Sequence, residues 1–123
     1  MPTLAEDRDA IRDLFARYCH YVDSGAADEW AGTFTDDGEF LTGGDPVVGT
    51  EGLRTFARSL PKGALHHMVV NEAIELDGDT AVCRSSVLVT AGGAIAVTGR
   101  SVDELRRVDG SWRIARRTFT LDS

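Results

Sequence analysis

The sequence predicts an α+β fold, a curved antiparallel sheet with helices packed on one face. Two observations carry this. Helical periodicity is confined to the first half of the chain, before Pro61. From Leu65 onward, four β-rich runs follow one another across turns of two or three residues, which force antiparallel neighbours. The 123 residues, 42% of them hydrophobic, suit one domain spanning 1–123 that is large enough to hold a core and a pocket.

The first helix opens at Thr3, where Thr3-Leu4-Ala5-Glu6 has the spacing of a capping box. Ile11, Leu14, Phe15, Tyr18, Cys19 and Val22 then form one apolar stripe, and Ser24-Gly25 supplies the stop. Asp28 to Phe34 reads as a second, short helix carrying Trp30 and Phe34. Thr35-Asp36-Asp37-Gly38 reads as a turn, and Glu39-Phe40-Leu41 as a short strand. Thr50 is placed to cap a third helix bearing Leu53, Phe56, Ala57 and Leu60, which Pro61-Lys62-Gly63 ends. The strands are Leu65 to Leu76, Thr80 to Thr90, Ala94 to Val108 and Ser111 to Leu121. Four long strands do not close on themselves. They wrap around the helices and leave a cavity between the two layers, where a small ligand would sit.

Composition excludes several classes of function. A net charge of −7 gives no electrostatic footprint for nucleic acid. No apolar run reaches the roughly 20 residues of a membrane helix, and the acidic start lacks the order of a signal peptide, so the expected location is the cytoplasm. The two cysteines, Cys19 and Cys83, are too few for a disulfide scaffold and are expected as small buried thiols. No metal-ligand spacing, phosphate loop or nucleophile elbow is present, so no metal and no cofactor is expected.

A few polar residues fall on core-facing positions. Asp23 lies four residues after Cys19 and eight after Phe15, on the row that faces inward. It is either a helix-end carboxylate with local hydrogen bonds or a partner for a buried group. His67 shares a strand face with Leu65, Val69, Asn71 and Ala73, while His66 points the other way. It is either structural or a general base, with Asp23 on its second ring nitrogen. Tyr18 is either a core aromatic or a hydroxyl aimed at a substrate oxygen. On the last strand Arg117 alternates with Ala115, Phe119 and Leu121, and Arg116 with Trp112 and Ile114. One of the two should point into the cavity and meet an oxyanion or leaving group. The expected lining is Phe15, Tyr18, Phe40, Phe56, Val69, Val87, Val89 and Phe119, which suits a hydrophobic ligand. The outer face, with Met68, Val70, Ile74, Leu76, Val82 and Leu88, carries enough apolar surface to predict a homo-oligomer, dimer or trimer.

Arg17-Tyr18-Cys19 through Asp23-Ser24-Gly25, Trp30 with Phe34-Thr35-Asp36-Asp37-Gly38, His67 with Asn71, Asp77-Gly78-Asp79-Thr80-Ala81, and Asp103-Glu104-Leu105 through Asp109-Gly110-Ser111-Trp112-Arg113-Ile114 span nearly the whole chain. In these marks it resembles the SnoaL-like branch of the nuclear transport factor two-like superfamily. That resemblance implies a cone-shaped pocket. It also implies kinship with small cofactor-free lyases, the scytalone dehydratase, bile-acid dehydratase and dehydrochlorinase group, whose shared core is an Asp–His dyad. The matching positions here are Asp23 and His67, with Tyr18 and Arg117 beside them, so the resemblance selects Arg117 over Arg116. It further places Phe40, Val87, Val89, Val97 and Ser101 on the pocket wall. The second base of some of these lyases falls near Thr90, which cannot act as one. Elimination, isomerisation or cyclisation by one base and one cation is the implied activity. Non-catalytic binding or accessory subunits of the same fold are the alternative.

Overall fold

The computed structural model describes residues 1–123. Helix α1 (Leu4–Ser24) starts at the Thr3 capping box and ends at Gly25, whose positive φ of 76° lets its N–H reach back to the carbonyls of Tyr21 and Val22. Helix α2 (Ala27–Ala31), strand β1 (Phe34–Leu41), the short strand β2 (Val47–Val48) and helix α3 (Gly49–Ser59) follow. The remaining strands are β3 (Leu65–Asp77), β4 (Thr80–Ala91), β5 (Ala94–Val108) and β6 (Ser111–Leu121). They form one six-stranded sheet in the order β2-β1-β6-β5-β4-β3. The core lies between its inner face and the helices, around Ile11, Phe15, Trp30, Phe34, Leu53 and Ile114.

The fold class matches the expectation, and several elements differ from it in detail. The sheet is mixed, because β1 runs parallel to β6. Tight turns dictate antiparallel pairing only from β3 to β6, and β1 is far from β6 in sequence. Helix α2 stops at Ala31, so Thr33 lies in a turn and Phe34 opens β1, and neither extends the helix. The Thr35–Gly38 segment is a bulge inside β1 and not a turn. A side chain at Gly38 would lie 2.8 Å from Phe34 Cβ, which is why glycine suits this close approach. The N-cap of α3 is Val48, with no side-chain hydrogen bond, and Thr50 sits inside the helix.

Two irregularities decide which side chains face inward. In β3 the register shifts between Val70 and Ala73, with Asn71 at φ 58°. Leu65, His67 and Val69 therefore face inward before the shift, and Ile74 and Leu76 after it. Ile74 and Leu76 pack on the core and do not belong to the outer face expected of them, while Asn71 and Ala73 leave the His67 face. In β6, Leu105 pairs with Ile114 but Glu104 with Arg116, so Ala115 is an extra residue. That bulge brings Trp112, Ile114, Arg117 and Phe119 to the same inner side, where strict alternation would have separated them. Arg116 faces outward and bonds to Glu39 and Glu104.

Candidate functional site: an apolar cavity with an Asp–His pair

Asp23 occupies the last turn of α1, and His67 the start of β3. The Asp23 carboxylate accepts the His67 backbone N–H at 3.1 Å to each oxygen, and Asp23 Oδ1 lies 2.7 Å from His67 Nδ1. An ionised carboxylate only accepts hydrogen bonds. A ring hydrogen therefore resides on Nδ1, and the lone pair of a neutral imidazole so held is on Nε2. Both side chains retain 19% of their exposure, enough for contact with a ligand or solvent.

His67 lines a cavity of about 330 Å³ between the sheet and the helices. Thirteen of its 16 lining residues are hydrophobic, and the other three are Thr42, His67 and Arg117. The structure brings ten of the expected site residues to this cavity: Tyr18, Phe40, Phe56, His67, Val69, Val87, Val89, Val97, Arg117 and Phe119. Asp23 does not line it and reaches it only through His67, and Phe15 and Ser101 do not line it either, a departure from the expected wall. Phe15 lies one turn before Tyr18 and is sealed in the core against the Arg117 guanidinium. Ser101, 1% exposed, is covered by the strands and donates to the Thr118 carbonyl. Val22, Trp30, Leu60, Leu65 and Leu121 also line the cavity. Leu121 is largely exposed and marks the mouth, whereas Tyr18, Trp30 and Arg117 are buried at the inner end.

Sequence reasoning missed Asp103. On β5 it stands directly across from Arg117 on β6, and Arg117 Nη1 donates to Asp103 Oδ2 at 2.7 Å. The two side chains are 2% and 0% exposed. The Ser101, Asp103, Leu105 alternation marks Asp103 as inward-facing, but its partner becomes visible only with the strand register. Burial pushes the Asp103 carboxyl up to about 6, and the Arg117 charge keeps it from rising further. The guanidinium also lies 4.7 Å from the centre of the Tyr18 ring. Burial pushes the Tyr18 hydroxyl up to about 12, against the pull of Arg117, so at neutral pH it remains a neutral phenol able to donate. Cys19, raised by burial to about 11, stays a thiol. No group of three or more His, Cys, Asp or Glu side chains is placed to hold a metal ion.

The curved sheet, its helices and the cavity between them make this a nuclear transport factor two-like fold. Residues 3–118 match the model of the SnoaL-like domain, and the chain belongs to that family. Comparison with curated proteins finds no match. Among solved structures it is similar to a Mycobacterium tuberculosis protein of unknown function, solved as an Asp-to-Asn variant. The identity is 34% over 94% of this chain and 72% of that one, with a TM-score of 0.88. It is also similar to a Novosphingobium aromaticivorans protein provisionally assigned as an aromatic ring hydroxylase, at 32% identity over 99% and 93% of the two chains, TM-score 0.83. A second protein of that organism, provisionally assigned as a scytalone dehydratase, shares the fold at 21% identity over 95% and 85%, TM-score 0.83. No helix is long and apolar enough to cross a membrane.

Proposed function

We propose that the chain is a cofactor-independent lyase or isomerase, of dehydratase or cyclase type, acting on a hydrophobic small molecule. The observation that carries this reading is the 2.7 Å contact of Asp23 with His67 Nδ1, at the wall of an apolar cavity. His67 Nε2 removes a proton from a carbon next to a carbonyl. The electron pair so freed forms the new double bond as hydroxide departs, taking up the proton as water, or adds to a second carbonyl carbon of the substrate to close a ring, that carbonyl's π pair passing to its oxygen, which takes the proton. Asp23 stabilises the imidazolium that results, and holds the ring in its reactive tautomer. Tyr18 donates its hydroxyl hydrogen to the substrate oxygen, and Arg117 stabilises charge developing there. The lining hydrocarbon binds the substrate body and thins out water around the base.

A panel of apolar β-hydroxy ketones, monitored for enone absorbance, tests this. His67→Ala and Asp23→Asn should each lower turnover by at least about 10²-fold, the scale of a lost general base. Full activity in both variants would exclude the mechanism. One observation favours a second reading, a non-catalytic binding or accessory subunit: Arg117 already has a buried carboxylate partner, as a purely structural arginine would. In that case ligands bind and no member of the panel is converted. The reading includes self-association through the outer face of the sheet.

A further inference from the structure

Arg117 is the one arginine or lysine on the cavity wall, and it is not a bare cation. Its Nη1 is bonded to Asp103, which stands opposite it in the strand register and is fully buried. Its other oxygen, Oδ1, makes no hydrogen bond, and besides Arg117 only the nearby Ser101 hydroxyl favours its charged form. Arg117 is thus the one charged side chain bonded to Asp103. The guanidinium has five N–H groups, and its hydrogen bond to the protein uses one. Its remaining N–H groups can serve a ligand oxygen at the inner end of the cavity. They do so from a paired group with no net charge, while the Asp23 carboxylate does not line the cavity and stands behind His67.

We infer that Asp103 sets the charge class of the ligand. By cancelling Arg117, it makes the inner end of the cavity a site for an uncharged oxygen, a carbonyl or hydroxyl on an apolar body, and turns carboxylates away. This rests on the reading of the cavity as the ligand site. A carboxylate entering it loses its hydration against hydrocarbon walls. It meets an arginine whose field is offset by Asp103, while Asp23 adds repulsion. A ketone gives up little hydration and still accepts hydrogen bonds from Arg117 and Tyr18. Asp103 does not line the cavity, so it is a positioning residue that acts through Arg117.

The test uses two probes of matched shape, 2-acetonaphthone and 2-naphthoate, with affinities measured by calorimetry at neutral pH. Wild-type protein should bind the ketone about tenfold or more tightly than the carboxylate. Asp103→Asn keeps the shape and removes the compensating charge. It should shift the ratio of the two affinities toward naphthoate by about tenfold or more, the range reached by unmatched charges in desolvated sites. A loss of packing alone would weaken both probes together. The double variant Asp103→Leu/Arg117→Met replaces the pair with hydrocarbon and should retain the preference for the ketone. Equal affinity of wild type for both probes, or an unchanged ratio in a folded Asp103→Asn, would overturn the inference and leave the cavity standing as a ligand site. If neither probe binds wild type, the cavity reading fails and the inference with it. If Asp103→Asn does not fold, the wild-type ratio and the double variant decide.

Discussion

Asp23 meets both the backbone and the ring of His67, so it holds α1 onto the start of β3 as well as setting the tautomer. In Asp23→Asn the amide offers one oxygen without charge, and the expected result is a loss of stability of about 1.5–3 kcal/mol in urea unfolding. Nitrogen-15 spectra of the His67 ring should show the Nδ1–H form in wild type and a mixture with the Nε2–H form in the variant. Asp103 gives a second prediction, of opposite character. Its folded-state carboxyl, raised by burial from 3.8 to about 6, holds a proton more tightly than the unfolded chain does. The stability from this group is complete below the unfolded value and is lost as the pH rises through about 6. The difference in unfolding free energy between wild type and Asp103→Asn should therefore fall from pH 4 to pH 7 and then level off. A pH-independent difference would show that Asp103 binds its proton no more tightly in the folded protein. The contrast between the two aspartates also explains what was legible. Asp23 could be placed from helical spacing, because a residue on α1 carries its facing direction in its own sequence. Asp103 pairs across a strand register that no local pattern encodes.

The same distinction holds for whole elements. The α1 stripe and the β3–β6 meander could be read directly, since period and tight turns are local properties. The bulges at Gly38, Asn71 and Ala115 could not, and each moves side chains from one face to the other. Thr35-Asp36-Asp37-Gly38 has the composition of a turn, yet β6 runs alongside and recruits it as a strand. Gly99 offers a test at this scale. It sits inside β5 between Val87 and Leu121, and an added methyl carbon would lie 2.5 Å from both the Phe119 ring and the Thr120 carbonyl. The backbone oxygen cannot swing aside as a side chain can. Gly99→Ala should therefore spread β5 from β6 and drive Phe119 toward the cavity. The expected cost is about 1–3 kcal/mol in urea unfolding, the range for overpacked sites, together with weaker binding of 2-acetonaphthone. Unchanged stability and binding would mean that β6 adapts without strain.

At the level of the molecule, the inner face of the sheet is covered by the helices, and the outer face by nothing in the chain. Once the β3 bulge turns Ile74 and Leu76 inward, the outer apolar set contracts to Met68, Val70, Val82 and Leu88, joined by Val102. Val70 and Val102 remain 43% and 41% exposed. Met68, Val70 and Leu88 adjoin one another across β3 and β4, and Val82 and Val102 adjoin diagonally across β4 and β5, with Arg84, Ser86 and Arg100 between the two groups. Clustered exposed apolar side chains mark an association surface more often than singly scattered ones do. Arg84, Arg100, Glu104 and Arg106 stand on the same face and are solvent-exposed, so an interface here would combine apolar groups with charged side chains. The prediction is a dimer or trimer in sedimentation equilibrium, with Val70→Asp/Leu88→Asp shifting the mass to that of one chain. Neither position touches the cavity, so the shifted protein should still bind 2-acetonaphthone, with its His67 ring unchanged in nitrogen-15 spectra. If the double variant loses the ligand as it loses its partner, assembly shapes the cavity mouth near Leu121. If wild type sediments as one chain, the outer face is not a self-association surface.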